Sequence, residues 1–163
     1  MKAKRLTYLA LLTTIALIIF TIEAQIPAPV PIPGIKLGLA NIVTVYASFT
    51  LSSGETILIL FIRIFLGSLF TGNMLAMLYS LGGGAFCLLV TLPMAHILRK
   101  NQMWIASVIG AVFHNLGQIT VAALVMKTLA VFVYLPPLLI SGLLTGAFTG
   151  LAAQALTNRL QKN

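Results

Sequence analysis

IPGIKLGLANIVTV, residues 32–45, is the stretch that decides the fold, because it interrupts a chain that otherwise consists of long apolar segments. Four prolines at alternate positions lead into it: Pro27, Pro29, Pro31 and Pro33. Proline fixes φ and lacks an N–H donor, so this run cannot form a helix. Irregular backbone beside a bilayer is tolerated only at the water interface, within protein or along a cavity. We therefore predict that residues 26–38 form an ordered cap over a cavity, although a stiff connector without a ligand role fits the same pattern.

The composition is that of an integral membrane protein. Hydrophobic residues make up 60% of the 163 residues and charged residues 7%, whereas soluble domains average roughly 45–50% and 25%. The length fits a single domain, residues 1–163. The net charge of +8 does not indicate nucleic-acid binding, because the basic residues are not grouped with aromatic residues on one face. All of them except Arg63 occur near the ends of the apolar segments, which is typical of membrane topology.

Hydropathy and turn residues divide the chain into six helices, so we predict an all-α bundle of six transmembrane helices surrounded by membrane lipids. The predicted helices are residues 6–25, 37–51, 55–69, 74–98, 103–126 and 137–156, with a proline-rich loop at 26–36. The second helix is shorter than the ~20 residues of a complete span, so we expect it to be tilted or buried.

The basic residues predict the orientation of this bundle. Six spans put both termini on one side, and placing them in the cytoplasm leaves seven basic residues inside against two, Lys36 and Lys127, outside. This distribution fits the positive-inside rule. We therefore expect a multi-pass protein of the cell membrane with both termini cytoplasmic and the proline-rich loop extracytoplasmic.

Arg63 lies near the middle of the third predicted helix. A charge at that depth costs roughly 2.5–3.5 kcal/mol on insertion scales, which makes Arg63 a candidate for contact with an anionic or carbonyl group of a ligand. The alternative is an internal tie to helix carbonyls or to Glu23, because a buried arginine needs fixed partners even when nothing binds.

The densest polar cluster lies in the middle of the fifth predicted helix and contains His114, Asn115 and Gln118. His114 and Gln118 are four residues apart and share a face, while Asn115 lies about 100° around the helix from His114. These side chains offer donors and acceptors to a polar group inside the bundle, so we predict a binding site here. Hydrogen bonding between helices is the alternative.

Four further residues are candidate ligand contacts. Asn41 and Lys36 could reach a ligand from the cap, although Lys36 could equally lie among lipid headgroups. Tyr79 and Ser80 precede a triple glycine, which lets backbones approach and could leave a pocket beside them. Close packing of helices explains the same pattern.

Two helices carry small residues at intervals of four. Gly142, Gly146 and Gly150 recur on the sixth helix, and Ala10 and Thr14 do so on the first. Small residues at this spacing let helices pack closely. We expect the glycine series to pack within the chain, whereas Ala10 and Thr14 could form a docking surface for a partner subunit.

The shortage of carboxylates argues against catalysis by this chain alone. It contains no aspartate, and its only acidic residues are Glu23 and Glu55. Reactions that transfer phosphoryl or prenyl groups through Mg²⁺ need clustered carboxylates, and the chain has no phosphate-binding P-loop motif. A single cysteine and two separated histidines offer no metal site. We expect neither an enzyme nor a bound metal or cofactor.

Six motifs in order resemble the Gx transporter family, whose members are often labelled heptaprenyl diphosphate synthase component I. They are PGIKLGLANIV (33–43), IRIFLG (62–67), YSLGGG (79–84), GAVFHNLGQ (110–118), YLPPLL (134–139) and GLLTGAFTG (142–150). The family is in turn similar to the S components of energy-coupling factor (ECF) transporters. The resemblance implies six helices and a ligand site near the extracytoplasmic side, formed by the first loop and helices 4 to 6.

The resemblance also implies partners. S components dock through helix 1 on a transmembrane coupling subunit that carries two ATPase subunits, usually through an alanine-x-x-x-alanine pattern. Ala10 matches the first position of that pattern and Thr14 replaces the second alanine.

Two functions follow as hypotheses. The leading one is an S-component-like subunit that captures a small organic molecule, anionic or carbonyl-rich, for ATP-driven transport. The alternative is a membrane accessory subunit without transport activity, in a quinone, isoprenoid or flavin redox system or as the regulatory half of a prenyl diphosphate synthase.

Overall fold

The computed structural model describes residues 2–27 and 36–160. The prolines at positions 29, 31 and 33 lie outside the described residues, and so does most of the predicted cap.

The described chain is all helical, which confirms the predicted all-α membrane bundle. Six α-helices and two short 3-10 helices follow one another, and no strand occurs within the described ranges. The helices are α1 (Lys2–Glu23), α2 (Asn41–Thr50), α3 (Ser53–Thr71), α4 (Met74–Ile97), α5 (Met103–Met126) and α6 (Leu135–Leu160). The 3-10 helices are Lys100–Gln102 and Leu129–Tyr134. Of the described helices, all but α2 are long and apolar enough to cross a membrane.

The second helix differs from its prediction, because α2 begins at Asn41 instead of residue 37 and has only 10 residues. At 1.5 Å per residue it is about 15 Å long, half the thickness of the hydrocarbon core. Gly38 has a φ of +86°, a left-handed conformation that a helix does not continue through. Eight of the ten residues of α2 are buried. It is therefore a short helix inside the bundle and not a complete transmembrane span.

α1 is shifted from its predicted bounds of 6–25 and spans Lys2–Glu23. α3 and α6 extend beyond their predicted ends for local reasons. α3 begins at Ser53 because Ser52 and Glu55 form a reciprocal capping box, which satisfies free N–H groups of the first turn. α6 begins at Leu135, two residues before its predicted start. Pro136 is tolerated there because the N–H groups of a first helical turn have no partner within the helix.

The bundle has two distinguishable ends. Arg5 near the start of α1 bonds Glu55 near the start of α3, with Nε to Oε1 at 2.5 Å. Because the helices alternate in direction, the start of α1 and the end of α6 lie at this end, called here the terminal end. The opposite end, called the loop end, carries residues 24–27, residues 36–40 and the 3-10 helix Leu129–Tyr134.

Close packing joins α5 to its neighbours α4 and α6. A side-chain carbon added at Gly117 would collide with the backbone of Gly82 and Gly83 on α4. Added carbons at Gly146 and Gly150 would collide with α5 around Ser107. The glycine series of the sixth helix therefore packs within the chain, as predicted.

Replacing Gly117 with alanine is expected to lower the stability of the bundle. The new methyl group would meet backbone atoms of α4, which cannot rotate away, and such overpacking typically costs about 1–3 kcal/mol. Gly54→Ala is the matched control, because an added carbon there has no neighbour within 4 Å. Thermal unfolding in detergent should show a lower midpoint for Gly117→Ala alone. Equal midpoints for the two variants would contradict the contact between α4 and α5.

Candidate functional site

Polar side chains converge on a small cavity inside the half of the bundle next to the loop end. The lining residues come from α1, residues 36–41, α3, α4 and α5. They are Phe20, Glu23, Lys36, Gly38, Asn41, Arg63, Ser80, His114 and Gln118. The cavity measures about 10 Å³, roughly the room that one water molecule needs. Sites for organic molecules are about 300–1,000 Å³, so a larger ligand requires this site to widen.

Glu23 ties the end of α1 to the backbone that precedes α2. The side chain is 3% exposed, and its Oε1 atom accepts a hydrogen bond from the N–H group of Gly38. Its Oε2 atom accepts one from the N–H group of Ala40 at 3.3 Å. The carboxylate therefore occupies two backbone donors at the N-terminus of a helix, a place where anions bind readily.

Two buried cations flank this carboxylate. The Nζ atom of Lys36 lies 3.4 Å from the centroid of the Phe20 ring, and the Cζ atom of Arg63 lies 5.8 Å from the same centroid. An Nη2 atom of Arg63 donates to Oδ1 of Asn41 at 3.2 Å. Within residues 2–27 and 36–160, neither cation has a carboxylate oxygen within 4.0 Å. A direct ion pair between Arg63 and Glu23, which was the alternative interpretation of the sequence, therefore does not occur in the structure.

His114 and Gln118 complete the wall on α5. The Gln118 Nε2 amide donates a hydrogen bond to His114 Nε2 at 3.1 Å, because an amide nitrogen cannot accept one. The His114 ring also lies against the backbone of Gly38 and Gly83, where an added side-chain carbon would touch it. The ring is 4% exposed and faces the bundle interior rather than lipid.

Several buried polar atoms of the site have no hydrogen-bond partner among the described residues. They are Lys36 Nζ, Arg63 Nε, Asn41 Nδ2, His114 Nδ1 and Gln118 Oε1. An unsatisfied buried donor or acceptor costs about 1–3 kcal/mol, and more if it is charged. Most of these atoms are nitrogens, and those of Lys36, Arg63 and Asn41 can only donate. The site is thus richer in free donors than in free acceptors.

The net charge of the site is positive. Lys36, Arg63 and Glu23 together carry one excess positive charge when all three are ionised. Burial lowers the pKa of Lys36 to about 8. The negative charge of Glu23 opposes this lowering, and the positive charge of Arg63 adds to it. Lys36 therefore carries its charge at neutral pH and loses it in the mildly alkaline range.

The chain matches the family model described as "Heptaprenyl diphosphate synthase component I" over residues 12–156. The chain belongs to this family. No curated protein and no solved structure matches it significantly.

The cavity is lined by six of the eight site residues that were predicted from the sequence of this component I family member. They are Lys36, Asn41, Arg63, Ser80, His114 and Gln118. The other two point elsewhere. Tyr79 packs in an apolar cluster with Ile119 and Leu138. Asn115 donates through Nδ2 to the carbonyl oxygen of Leu138 at 2.5 Å and therefore joins α5 to α6.

Three lining residues were absent from the predicted site. Phe20 and Gly38 carry no polar side chain, so nothing in the sequence marked them as ligand contacts. Glu23 could have been predicted as a site residue, because it is one of two acidic residues in the chain and lies just before the proline-rich loop.

The predicted docking residues lie on the outer face of α1. Ala10 and Thr14 are both exposed, and the Thr14 hydroxyl donates to the Ala10 carbonyl at 2.9 Å. The hydroxyl is thus satisfied within the helix, and the exposed side chains of Leu11, Ile15 and Ile18 make the surrounding outer surface of α1 apolar. Lipid or a partner helix fits such a face, so docking stays a prediction.

A larger groove of about 290 Å³ lies at the loop end of α5. Its lining is largely apolar and includes Leu124, Leu129 and Phe132, with Lys127 nearby. It opens to the surface of a protein that belongs in a bilayer, so an acyl chain of a lipid fits it better than a polar ligand does.

Proposed function

We propose that this chain is a non-catalytic membrane subunit that binds the anionic or carbonyl-rich group of a small organic molecule. It presents the molecule to partner subunits for ATP-driven transport. The observation that carries the proposal is the pair of buried cations, Lys36 and Arg63, with free donors beside a cavity.

The energetic cost of this arrangement supports a ligand-binding role. Removing a charge from water costs several kcal/mol, and only well-placed partners recover that cost. Lys36 is 9% exposed and Arg63 is 3% exposed, yet neither is paired with a carboxylate among the described residues. An anionic group in the cavity would supply the missing acceptors. In a membrane protein, buried ionisable residues commonly mark such binding sites.

The segment that precedes α2 is the part of the site best suited to open. Residues 36–40 are not helical, and besides the contact of Lys36 with the Phe20 ring, hydrogen bonds to side chains hold them at two places. One is Glu23, and the other is the Thr145 hydroxyl, which lies 3.3 Å from the Leu37 carbonyl and shares its single proton with the nearer Ser141 carbonyl at 2.9 Å. Moving this short segment breaks few contacts, whereas separating α4 from α5 would break a tightly packed interface. We propose that a ligand enters beside residues 36–40 from the extracytoplasmic side.

The outer face of α1 supports contact with a transmembrane coupling subunit that carries two ATPases. α1 lies at the edge of the bundle, and Ala10 and Thr14 are exposed there. Small residues allow close approach of a partner helix. The positive-inside distribution supports a cytoplasmic location of both termini, where ATPases act.

The description of the family favours a second candidate function. It names a component of a heptaprenyl diphosphate synthase, so the chain would be a non-catalytic membrane component beside a prenyl-transferring partner. A diphosphate group would suit the same positively charged cavity.

Affinity purification from native membranes with mass spectrometry distinguishes the two functions. The transport proposal predicts copurification with a membrane coupling subunit and ATPases, and native mass spectra should contain a retained small molecule. Copurification with a prenyl synthase and without ATPases would support the second function. Calorimetric titration with inorganic pyrophosphate tests the charge of the site directly, and absence of binding would contradict an anion site in either function.

Anion binding is expected to weaken as the pH rises through about 8. Lys36 is charged below its pKa of about 8 and neutral above it, so its attraction for an anion is lost on the alkaline side. Sulfate is a suitable probe because its own charge does not change in this range. Glu23, Arg63 and His114 also face the cavity, so Lys36→Gln serves as the control that assigns the effect. A pH profile that is the same in Lys36→Gln and the original protein would contradict this role of Lys36.

A further inference from the structure

We infer that Glu23 is an internal competitor for the anion site, so that an arriving anionic group must displace its carboxylate from the backbone before α2. The inference rests on the proposed anion-binding function and adds how the site is kept closed when it is empty.

The position of Glu23 is unfavourable for its own helix. Glu23 is the last residue of α1, where the helix dipole presents partial negative charge and disfavours a carboxylate. The compensation comes from the N–H groups of Gly38 and Ala40, which lie at the positive end of α2. Glu23 thus occupies the donors that an external phosphate or carboxylate would use.

Glu23 interacts electrostatically with the two cations, Lys36 and Arg63, without forming an ion pair with either of them. The carboxylate opposes the loss of charge on Lys36 through space, yet no ion pair within 4.0 Å links it to Lys36 or Arg63 in the described part of the chain. Glu23 therefore lowers the net charge of the site while the donors of both cations remain available. An arriving anion is attracted by Lys36 and Arg63 and repelled by Glu23.

Displacing Glu23 would also release the segment that limits the size of the cavity. The bonds from Gly38 and Ala40 to Glu23 connect residues 36–40 to α1. If an anion replaces the carboxylate, the segment loses that connection to α1 and the 10 Å³ cavity gains room. Glu23 therefore couples arrival of the ligand to opening of the site.

Glu23→Gln tests the inference, with inorganic pyrophosphate as the probe in calorimetric titrations of the detergent-purified protein. Glutamine keeps one carbonyl oxygen for a backbone N–H group and removes the competing negative charge. We expect the variant to bind pyrophosphate about tenfold more tightly than the original protein. Glu55→Gln is the matched control, because it removes the only other acidic residue, which pairs with Arg5 at the terminal end. Its affinity should stay unchanged.

The outcomes separate this inference from the proposed function. If the original protein binds pyrophosphate and Glu23→Gln binds it equally or more weakly, Glu23 is a structural tie and the competitor role is wrong, while anion binding stands. If neither protein binds, the proposed anion site fails and the inference fails with it. Should Glu23→Gln not fold, Glu23→Asp is used, because it keeps the charge but is too short to reach both N–H groups. Aspartate is expected to increase the affinity by a smaller factor, and an unchanged affinity would overturn the inference.

Discussion

Replacing Arg63 with glutamine is expected to reduce the affinity for inorganic pyrophosphate by about 30-fold to several thousand-fold. Arg63 is almost completely buried and has a free donor beside the cavity. Loss of one partner from a buried, hydrogen-bonded charge pair costs about 2–5 kcal/mol, which corresponds to that range. Glutamine keeps a polar side chain for Asn41, so the local contacts of α3 with α2 are disturbed as little as possible. Calorimetric titration of the purified protein measures the change.

Arg159→Gln is the matched control for this prediction. Arg159 lies in the last turn of α6 and is exposed, so the same chemical change there alters the net charge of the protein without touching the cavity. Its affinity for pyrophosphate should remain within about twofold of the original, because distant charges at the surface are screened by salt. Equal losses in both variants would mean that pyrophosphate responds to overall charge and that Arg63 does not contact it.

Alanine substitutions at two adjacent positions of α5, His114 and Asn115, are expected to affect different properties. The first should lower the affinity for pyrophosphate, and the second should lower the stability of the protein. His114→Ala removes a ring that lines the cavity, so pyrophosphate affinity should fall by roughly ten- to a hundredfold, the range for losing a hydrogen bond to a charged group. Asn115→Ala removes the hydrogen bond to the Leu138 carbonyl and leaves the cavity wall intact. It should lower stability by about 0.6 kcal/mol, the average for hydrogen bonds between membrane helices, without a loss of affinity.

Both the affinity for pyrophosphate and the thermal unfolding should be measured on both variants. Each variant serves as the control for the other, because the positions share the same helix and the same depth. A loss of pyrophosphate binding in Asn115→Ala that equals the loss in His114→Ala would show that the site extends toward α6, against the geometry of the cavity.

Helices whose ends depend on local signals could be predicted from the sequence. α5 has its predicted bounds, Met103–Met126, because a polar turn precedes it and the segment itself is mainly apolar on both sides of the polar cluster at its middle. α2 could not be predicted as well, because its start depends on contacts between Glu23 and residues 38–40. Those contacts join positions 15 and 17 residues apart. A pattern of neighbouring residues contains no information about them.

The polar residues of the site could be found from the sequence because burying them in an apolar helix is costly. Their partners could not be found in the same way, because the direction of each side chain depends on how the helices are rotated. Asn115 follows His114 directly but faces Leu138 on α6. Tyr79 precedes Ser80 but packs among apolar side chains, because neighbouring residues on a helix point about 100° apart.

A structure determined in the presence of inorganic pyrophosphate would show whether Lys36 and Arg63 form an anion site. We expect a bound anion between Lys36 and Arg63, with an oxygen within hydrogen-bond distance of each and the segment 36–40 moved away from α1. An anion bound elsewhere, with the Lys36, Arg63 and His114 side chains still enclosing the small cavity, would contradict this expectation.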